Sequence, residues 1–435
     1  PNRDGDFIAK IEALASLAID AKWSDEKYDT ELLRASRPSP TFAPRHRNGA
    51  KLSNRVVEAA ICQSGRLEGH EDHFKDEELQ AAHDQFRSGI GLKQLFLICA
   101  EANGYRGNYA SDVTLEVQRA AFGMSAPNRI QAASWSTIEI SSILSNVANK
   151  FLREGWDAID MTPMKLASIR PVRDFKAITT VSLTGDLQFE KIGAAGEIPH
   201  GTLGEVTYSN KADTYAKMLA ITRQDIINDD LGALTAVPRR LGRGSALKLN
   251  DIFWTAFLGA ENAGFFATSH SNPTGNSNLN DGVATLTLAG LDATYTMFLN
   301  QIDPDGKPLG IMPALLVVPT ALHSTALALM TSEKIKGDAD EPDGNVWRGR
   351  FRVETSPYMS NSTYTGFSAT KWYLMADPGM LPMIEIVALN GRVEPVVETA
   401  DAEFNVLGVQ MRGYSDVGVA LQEYRAAVKA DGGSS

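Results

Sequence analysis

The sequence predicts an α+β protein, on three observations. Apolar residues recur at helical spacing in several stretches, including "DFIAKIEALASLAIDAKW" near the N-terminus and "TIEISSILSNVANKFLREGWDA" at 137–158. Two stretches rich in Thr, Val, Ile and Tyr, 175–192 and 205–222, flank a glycine-rich tip, "GAAGEIPHGTLG" at 193–204. In the C-terminal half, strand-like apolar runs such as "ALLVVPT" and "IEIVAL" alternate with helical patterns. No segment of 20–50 residues recurs, which argues against a solenoid.

Composition narrows the function. A chain of 435 residues with 43% apolar and 22% charged residues is an ordinary globular sequence with room for two or three packed units. Its net charge of −11 and pI near 5.2 argue against a surface that grips phosphate backbones, so contact with nucleic acid should be weak. Cys62 and Cys99 have no CxxC spacing, which leaves neither a disulfide framework nor a zinc knuckle to expect. No apolar run reaches the roughly 18–20 residues that span a bilayer, and no basic segment leads into an apolar one at the N-terminus, so no membrane partner is expected.

Residues 1–134 read as short helices between breakers, with Ile8, Ile11, Leu14, Leu17 and Ile19 at mostly helical spacing and a proline-rich link, "RPSPTFAPRHRNG", at 37–49. This segment holds 17 basic and 19 acidic residues, a balance of −2, so most of the negative charge lies in 135–435. A composition shift near "MSAPNRIQAAS", 124–134, marks the boundary. The helix that follows carries Ile143, Leu144, Val147, Phe151 and Leu152 on one side. Residues 175–222 then read as one long two-stranded hairpin, which would be marginal alone in water and needs a neighbour to lie on. It runs into "TRQDIINDDLGAL" and a long helical pattern over 223–259, interrupted by Gly232, Pro238, Gly242 and Gly244; a kink or break is expected near 236–244. Beyond it, "LAGLDATYTMFLNQ" and "ALHSTALALMTS" read as helices, "ALLVVPT", "KWYLMADP" and "IEIVAL" as strands. The tail "FNVLGVQMRGYSDVGVALQEYRAAVKA" reads as a strand with an irregular, partly helical close.

Catalytic signatures are missing: GxxxxGK[ST], GxGxxG after a strand, GxSxG and HExxH do not occur. His70 and His73 in "GHEDHFKDEE" lack further ligands at metal-site spacing and read as part of a solvated charged helix. "DPDG" at 303–306 opens like a calcium loop, but its twelfth position is Ala314 where a bidentate Glu is needed, so a tight turn is expected. His270 and His323 are lone histidines with no acidic partner to assign. Asp225 and Asp229 share a helix face beside Asp230, which permits a metal or acid/base pair; carboxylates complementing a helix N-terminus, with Asp225 or Thr222 near the cap, are the stronger reading. No cofactor is expected.

In this order, "LTGDLQFEKIGAAGEIPHGTLGE", "NKADTYAKML", "TRQDIINDDLGAL", "VPRRLGRG", "DPDGKPLG", "PALLVVP" and "KWYLMADP" resemble the major head subunit, or major capsid protein, of Mu-like tailed bacteriophages and prophages. The resemblance covers about residues 135–428. It implies the Hong Kong 97-like capsid fold: a helical N-terminal extension or arm over 1–134, an N-terminal arm helix and lead-in over 135–174, and an E-loop β-hairpin over 175–222. A peripheral domain with a long spine helix would occupy 223–283 and an axial domain 284–375. Residues 376–435 would complete the axial domain and return a strand, around 404–413, to the peripheral domain before the C-terminal tail. It further implies intersubunit contact through Glu190, Lys191, Glu197 and His200 at the E-loop tip. The spine helix would start at Asp225, Asp229 and Asp230 and bend at Pro238, Gly242 and Gly244.

The expected function is structural, without turnover. The chain would self-assemble as hexameric and pentameric capsomers into an icosahedral head of a tailed double-stranded DNA phage, built in the bacterial cytoplasm and matured by proteolysis and expansion. Partners would be further copies of the chain, portal, decoration, scaffolding or protease proteins, and packaged double-stranded DNA by weak non-specific contact with an acidic lining. Processing is expected before Pro1 or near 124–134, the first leaving the extension on the shell. Lys191 stands where an E-loop lysine could crosslink, with no partner asparagine or catalytic glutamate matched. The alternatives are an encapsulin-like nanocompartment shell protein of the same fold and, from another class, an acid/base or metal-dependent hydrolase centred on Asp225, Asp229 and Asp230.

Overall fold

The computed structural model describes residues 53–87, 89–105, 113–123, 140–185, 203–222, 224, 228, 231–260, 264–271, 275–303, 306–336, 342–400 and 408–432. The chain divides into two compact units, one ending at Ile140 and one running from Ser141 onward, with residues 65–70 belonging to the second.

Helices make up the first unit: α1 Asn54–Ser64, α2 Asp76–Gln85, α3 Leu92–Ala102 and α4 Leu115–Ala121. Leu92, Leu95, Phe96 and Cys99 of α3 recur three or four residues apart and are buried, which is what an apolar helical stripe produces, and Ile61 and Cys62 of α1 are buried too. Thr114 caps α4 by accepting from Val117 N, and Glu78 closes the start of α2 by accepting from Lys75 N at 3.0 Å. Cys62 and Cys99 are buried and form no disulfide, and burial pushes the Cys99 thiol up to about 12.

The second unit opens with α5 Ile140–Asp157, whose predicted apolar side is fully buried, and α6 Thr162–Leu166, started by Pro163. The strands are β1 Ser168–Val172, β2 Ile178–Gly185, β3 Leu203–Asn210 and β4 Asp213–Thr222, followed by the long helix α7 Gly232–Gly259. Then come β5 Leu279–Asn280, α8 Leu288–Leu299, β6 Pro313–Pro319, α9 His323–Thr331, β7 Lys334–Lys336, β8 Pro342–Gly344 and β9 Arg352–Ser356. The chain closes with β10 Trp372–Ala376, β11 Ile384–Leu389, β12 Val396–Ala400, β13 Gly408–Leu421 and β14 Ala427–Ala430.

Two five-stranded sheets organise this unit. In the first, β13 is the axis: β4 pairs along one edge, while β11 and β12 pair with successive stretches of the other, and β1 lies outside β11. The second has the order β5-β14-β10-β6-β9. Its inner strands "WYLMA" and "AVKA" are buried at every residue, as strands covered on both faces should be. At about 42 Å, α7 serves both sheets. Near its start Leu241 meets Gly413 of β13, and towards its end the buried Phe257 packs edge-on against Tyr373 of β10, with Trp254 stacked on Tyr358.

Three expectations need correction. The stretch 205–222 is not one hairpin strand: β3 pairs with β2, but the chain turns at Lys211–Ala212 and β4 joins the first sheet beside β13. Of the kink or break expected at 236–244, a break is absent: α7 runs from 232 to 259 through Pro238, which is buried, so packing on α5 and β13 outweighs the one backbone hydrogen bond that proline removes. The tail holds its expected strand, the 14-residue β13, but its close is not merely irregular: after a single helical turn at Tyr424–Ala426, β14 sits inside the second sheet between β5 and β10.

Candidate functional site

The hairpin β2/β3 pairs in register from Ile178↔Asn210 to Gly185↔Leu203, and among the described residues neither strand has another sheet partner. Its root is where the structure says most about function. Ile178, Thr180, Tyr208 and Asn210 share one face of the hairpin and are buried or half-buried, whereas Thr179, Thr207 and Ser209 on the other face are exposed.

Each residue of the inner face has a partner on the body. Ile178 packs against Val172, Ala212 and Val387, a small apolar cluster that also takes Leu389. Asn210 Nδ2 donates to the Glu385 carbonyl at 3.1 Å. Arg170 Nη1 of β1 donates to Thr180 Oγ1 at 2.6 Å and lies 3.8 Å from the Glu385 carboxylate. Opposite Thr180 on the same rung, the Tyr208 hydroxyl donates to Glu423 Oε2 at 3.0 Å.

Glu423 is itself held by Arg425, whose Nε and Nη2 donate to its two oxygens at 2.8 Å each, with both side chains buried. Burial pushes the Glu423 carboxyl up, but the guanidinium and the donated hydrogen bonds outweigh it and hold it below the usual carboxylate range. Burial, then the Glu423 charge, pushes the Tyr208 phenol up, so it stays a donor. The β3–β4 turn passes so close over β13 that a Cβ at Gly418 would lie 1.8 Å from the Lys211 carbonyl oxygen.

A second constellation joins α5 to α7. A Cβ on Gly155 would stand 2.0 Å from the Arg239 carbonyl oxygen, and one on Gly242 would stand 1.9 Å from that of Leu152. Beside this contact Arg239 Nε donates to Glu154 Oε2 at 2.7 Å, and its guanidinium lies 4.6 Å from the centre of the Phe151 ring.

Glu190, Lys191, Glu197 and His200 at the tip, and Asp225, Asp229 and Asp230, lie outside the described residues. α7 itself starts at Gly232, with Leu231 at its N-cap without a side-chain hydrogen bond and no acid in its first turn. Pro238, Gly242 and Gly244 all lie within α7; nothing stands within 4 Å of a Cβ placed on Gly244, whereas Gly242 is needed for the helix contact.

The lone histidines are tied into the scaffold. His270 Nε2 lies 2.8 Å from Asn278 Oδ1 with its ring stacked on Tyr424, His323 Nδ1 lies 2.7 Å from Thr355 Oγ1, and His70–His73 is an exposed single turn. "DPDG" closes as a turn in which Asp303 O accepts from Gly306 N and Asp303 Oδ1 from Lys307 N. No group of three or more metal-ligating side chains converges among the described residues.

Sequence reasoning did not single out Arg170, Thr180, Tyr208, Glu385, Glu423, Arg425 or Gly155. The one local signal was "QEYR", an acid and a base two residues apart. The contacts of Arg170 and Tyr208 with partners up to 215 residues distant leave no sequence period.

Among the described residues the hairpin has no third strand, and a two-stranded hairpin alone is marginal in water. Residues 205–430, 226 of the 435, match the phage capsid protein family, and the chain belongs to that family. The match begins in β3 and ends with β14, so it takes in α7 and most of both sheets.

The fold is also similar to solved shells. One is a virus-like particle from Pyrococcus furiosus, with 10% identity, a TM-score of 0.39, and coverage of 65% of this chain and 98% of that one. Another is the capsid of cyanophage P-SCSP1u, with 11% identity, a TM-score of 0.41, and coverage of 61% and 86%. The bacteriophage JBD30 capsid shares 18% identity at a TM-score of 0.37 over 46% of this chain and 91% of that one. The family match, and not these overlays, carries the assignment. No curated protein sequence matches.

Proposed function

We propose that the chain is the major capsid protein of a tailed, double-stranded DNA bacteriophage of the Mu-like group, built on the Hong Kong 97 plan. The observation that carries the reading is the family match across α7 and both sheets. In this plan β2/β3 is the E-loop, α7 the spine helix, the first sheet the peripheral domain and the second sheet with α8 and α9 the axial domain. Copies assemble as hexamers and pentamers into an icosahedral head in the bacterial cytoplasm, with the hairpin lying across the neighbouring subunit. The head matures by proteolysis and expansion, and Glu190, Lys191, Glu197 and His200 supply contacts at the hairpin tip. Portal, decoration, scaffolding and protease proteins are its further partners. The net charge of −11 supports weak, non-specific contact with packaged DNA.

Sedimentation velocity on the purified chain, with and without residues 186–202, tests this reading. The full chain should sediment as capsomers or larger particles, and the shortened chain as smaller species. A full chain that stays monomeric at all concentrations would count against it. Particles that carry a protein cargo and no nucleic acid would move the reading to a nanocompartment shell.

A further inference from the structure

We propose that the rung formed by Thr180 and Tyr208 is a two-sided clamp that fixes the direction in which the hairpin leaves the second unit. Its purpose rests on the reading above, in which the hairpin crosses to a second copy of the chain; the clamp itself rests on geometry within one chain.

Thr180 and Tyr208 are direct cross-strand partners, so their side chains leave the hairpin on the same face. They are held by different segments: Thr180 by Arg170 of β1 at 2.6 Å, Tyr208 by Glu423, beyond the end of β13, at 3.0 Å. A strand tied at one point can swing about that point. Two ties on opposite strands of one rung oppose rotation in both senses, because turning the hairpin either way lengthens one of them.

Glu423 does not depend on the hairpin for its position, because Arg425 chelates it through both oxygens; Arg170 is drawn to the same side by the buried Glu385. The acceptor is therefore in place before the hairpin docks, which reduces the ordering cost of docking it. On the body side of the rung, Asn210 bonds to the Glu385 carbonyl and Ile178 joins the apolar cluster. On the far side, the ladder continues to Gly185↔Leu203 with no third strand among the described residues. This rung carries the outermost ties to the body among the described side chains of the hairpin, and Thr180 and Tyr208 act as positioning residues for the intersubunit arm.

Two near-isosteric changes remove only the ties: Thr180→Val, which keeps a β-branched side chain, and Tyr208→Phe, which keeps the ring. Hydrogen–deuterium exchange on the full, unassembled chain reads the hairpin amides at 178–185 and 203–210. Each single variant should speed exchange there about 5- to 10-fold, and the double variant by clearly more than either, with β10 amides unchanged. Thr180→Ser, which keeps the hydroxyl but loses β-branching, should exchange like the parent. A role limited to strand propensity predicts the reverse order, Val like the parent and Ser faster, and that result overturns the clamp, as does a double variant with unchanged hairpin exchange. The same samples are examined for particles. If the parent forms shells while hairpin exchange fails to respond, the clamp is wrong and the shell reading stands. If exchange responds and the parent forms no particles, the shell reading is wrong and the clamp stands.

Discussion

Gly155 and Gly242 are reciprocal: each lies where the backbone of the other helix passes, so that a methyl group on either would fall about 2 Å from a carbonyl oxygen three residues before its counterpart. Each carbonyl belongs to a helix interior and cannot withdraw without opening its own ladder. The contact fixes the separation of α5 and α7, and through α7 the placement of both sheets.

Alanine at either position should therefore destabilise the second unit by at least about 2 kcal/mol, the upper part of the range for overpacking. Gly244→Ala, on the same helix with open space around it, should be neutral or stabilising by about 0.5–1 kcal/mol. Chemical denaturation of the three variants checks this; equal effects at 242 and 244 would point to backbone flexibility rather than packing.

Gly418 controls the root of the hairpin in a similar way. Gly418→Ala drives a methyl group into the Lys211 carbonyl and should displace the β3–β4 turn, at a cost of about 1–3 kcal/mol. Faster proteolysis of the hairpin than of the parent's, with the first unit unaffected, is the expected signature.

The Glu423–Arg425 pair gives a pH dependence whose sign follows from the lowered carboxyl. A group with a folded-state pKa below its unfolded value contributes stability that is full above the unfolded pKa and is lost as pH falls through the folded one. Glu423→Gln leaves Arg425 buried without its counter-charge and should cost about 3–5 kcal/mol at neutral pH. The gap to the parent should narrow below the ordinary carboxylate range, where the parent loses its own charge. Urea midpoints measured between neutral pH and pH 3 test this, and a gap that widens on acidification contradicts it.

Cys62 and Cys99 are both fully buried, and the Cys99 thiol, pushed up to about 12, holds almost no thiolate near neutral pH. Iodoacetamide at pH 8 should leave both unmodified in the folded chain and modify both in denaturant. Rapid labelling of the native chain would mean that the first unit opens.

The elements that were legible in the sequence are those whose pattern is local. The stripe Ile143, Leu144, Val147, Phe151 and Leu152 gave α5, alternation over 178–185 gave a hairpin strand, and the apolar runs gave β6, β10 and β11. The turn at Lys211–Ala212 was hidden because Asn210 and Ala212 are fixed by Glu385 and Val387, far along the chain. β13 read as a strand although Gly413 and Gly418 interrupt its alternation; both glycines stand beside close neighbours, Leu241 and Lys211. The close contact of Gly242 with Leu152 was hidden likewise: a glycine set by a helix contact looks, in one dimension, like a glycine set by flexibility. That the chain is a phage capsid protein was legible from motif order, whereas the clamp residues, joined across up to 215 positions, were not.

The central claim, a shell-forming subunit, is tested most directly by negative-stain electron microscopy of the purified full-length chain. Closed particles of uniform diameter, or ring-shaped capsomers, are the result the account predicts. A field of dispersed monomers at every concentration and salt condition tried would contradict it.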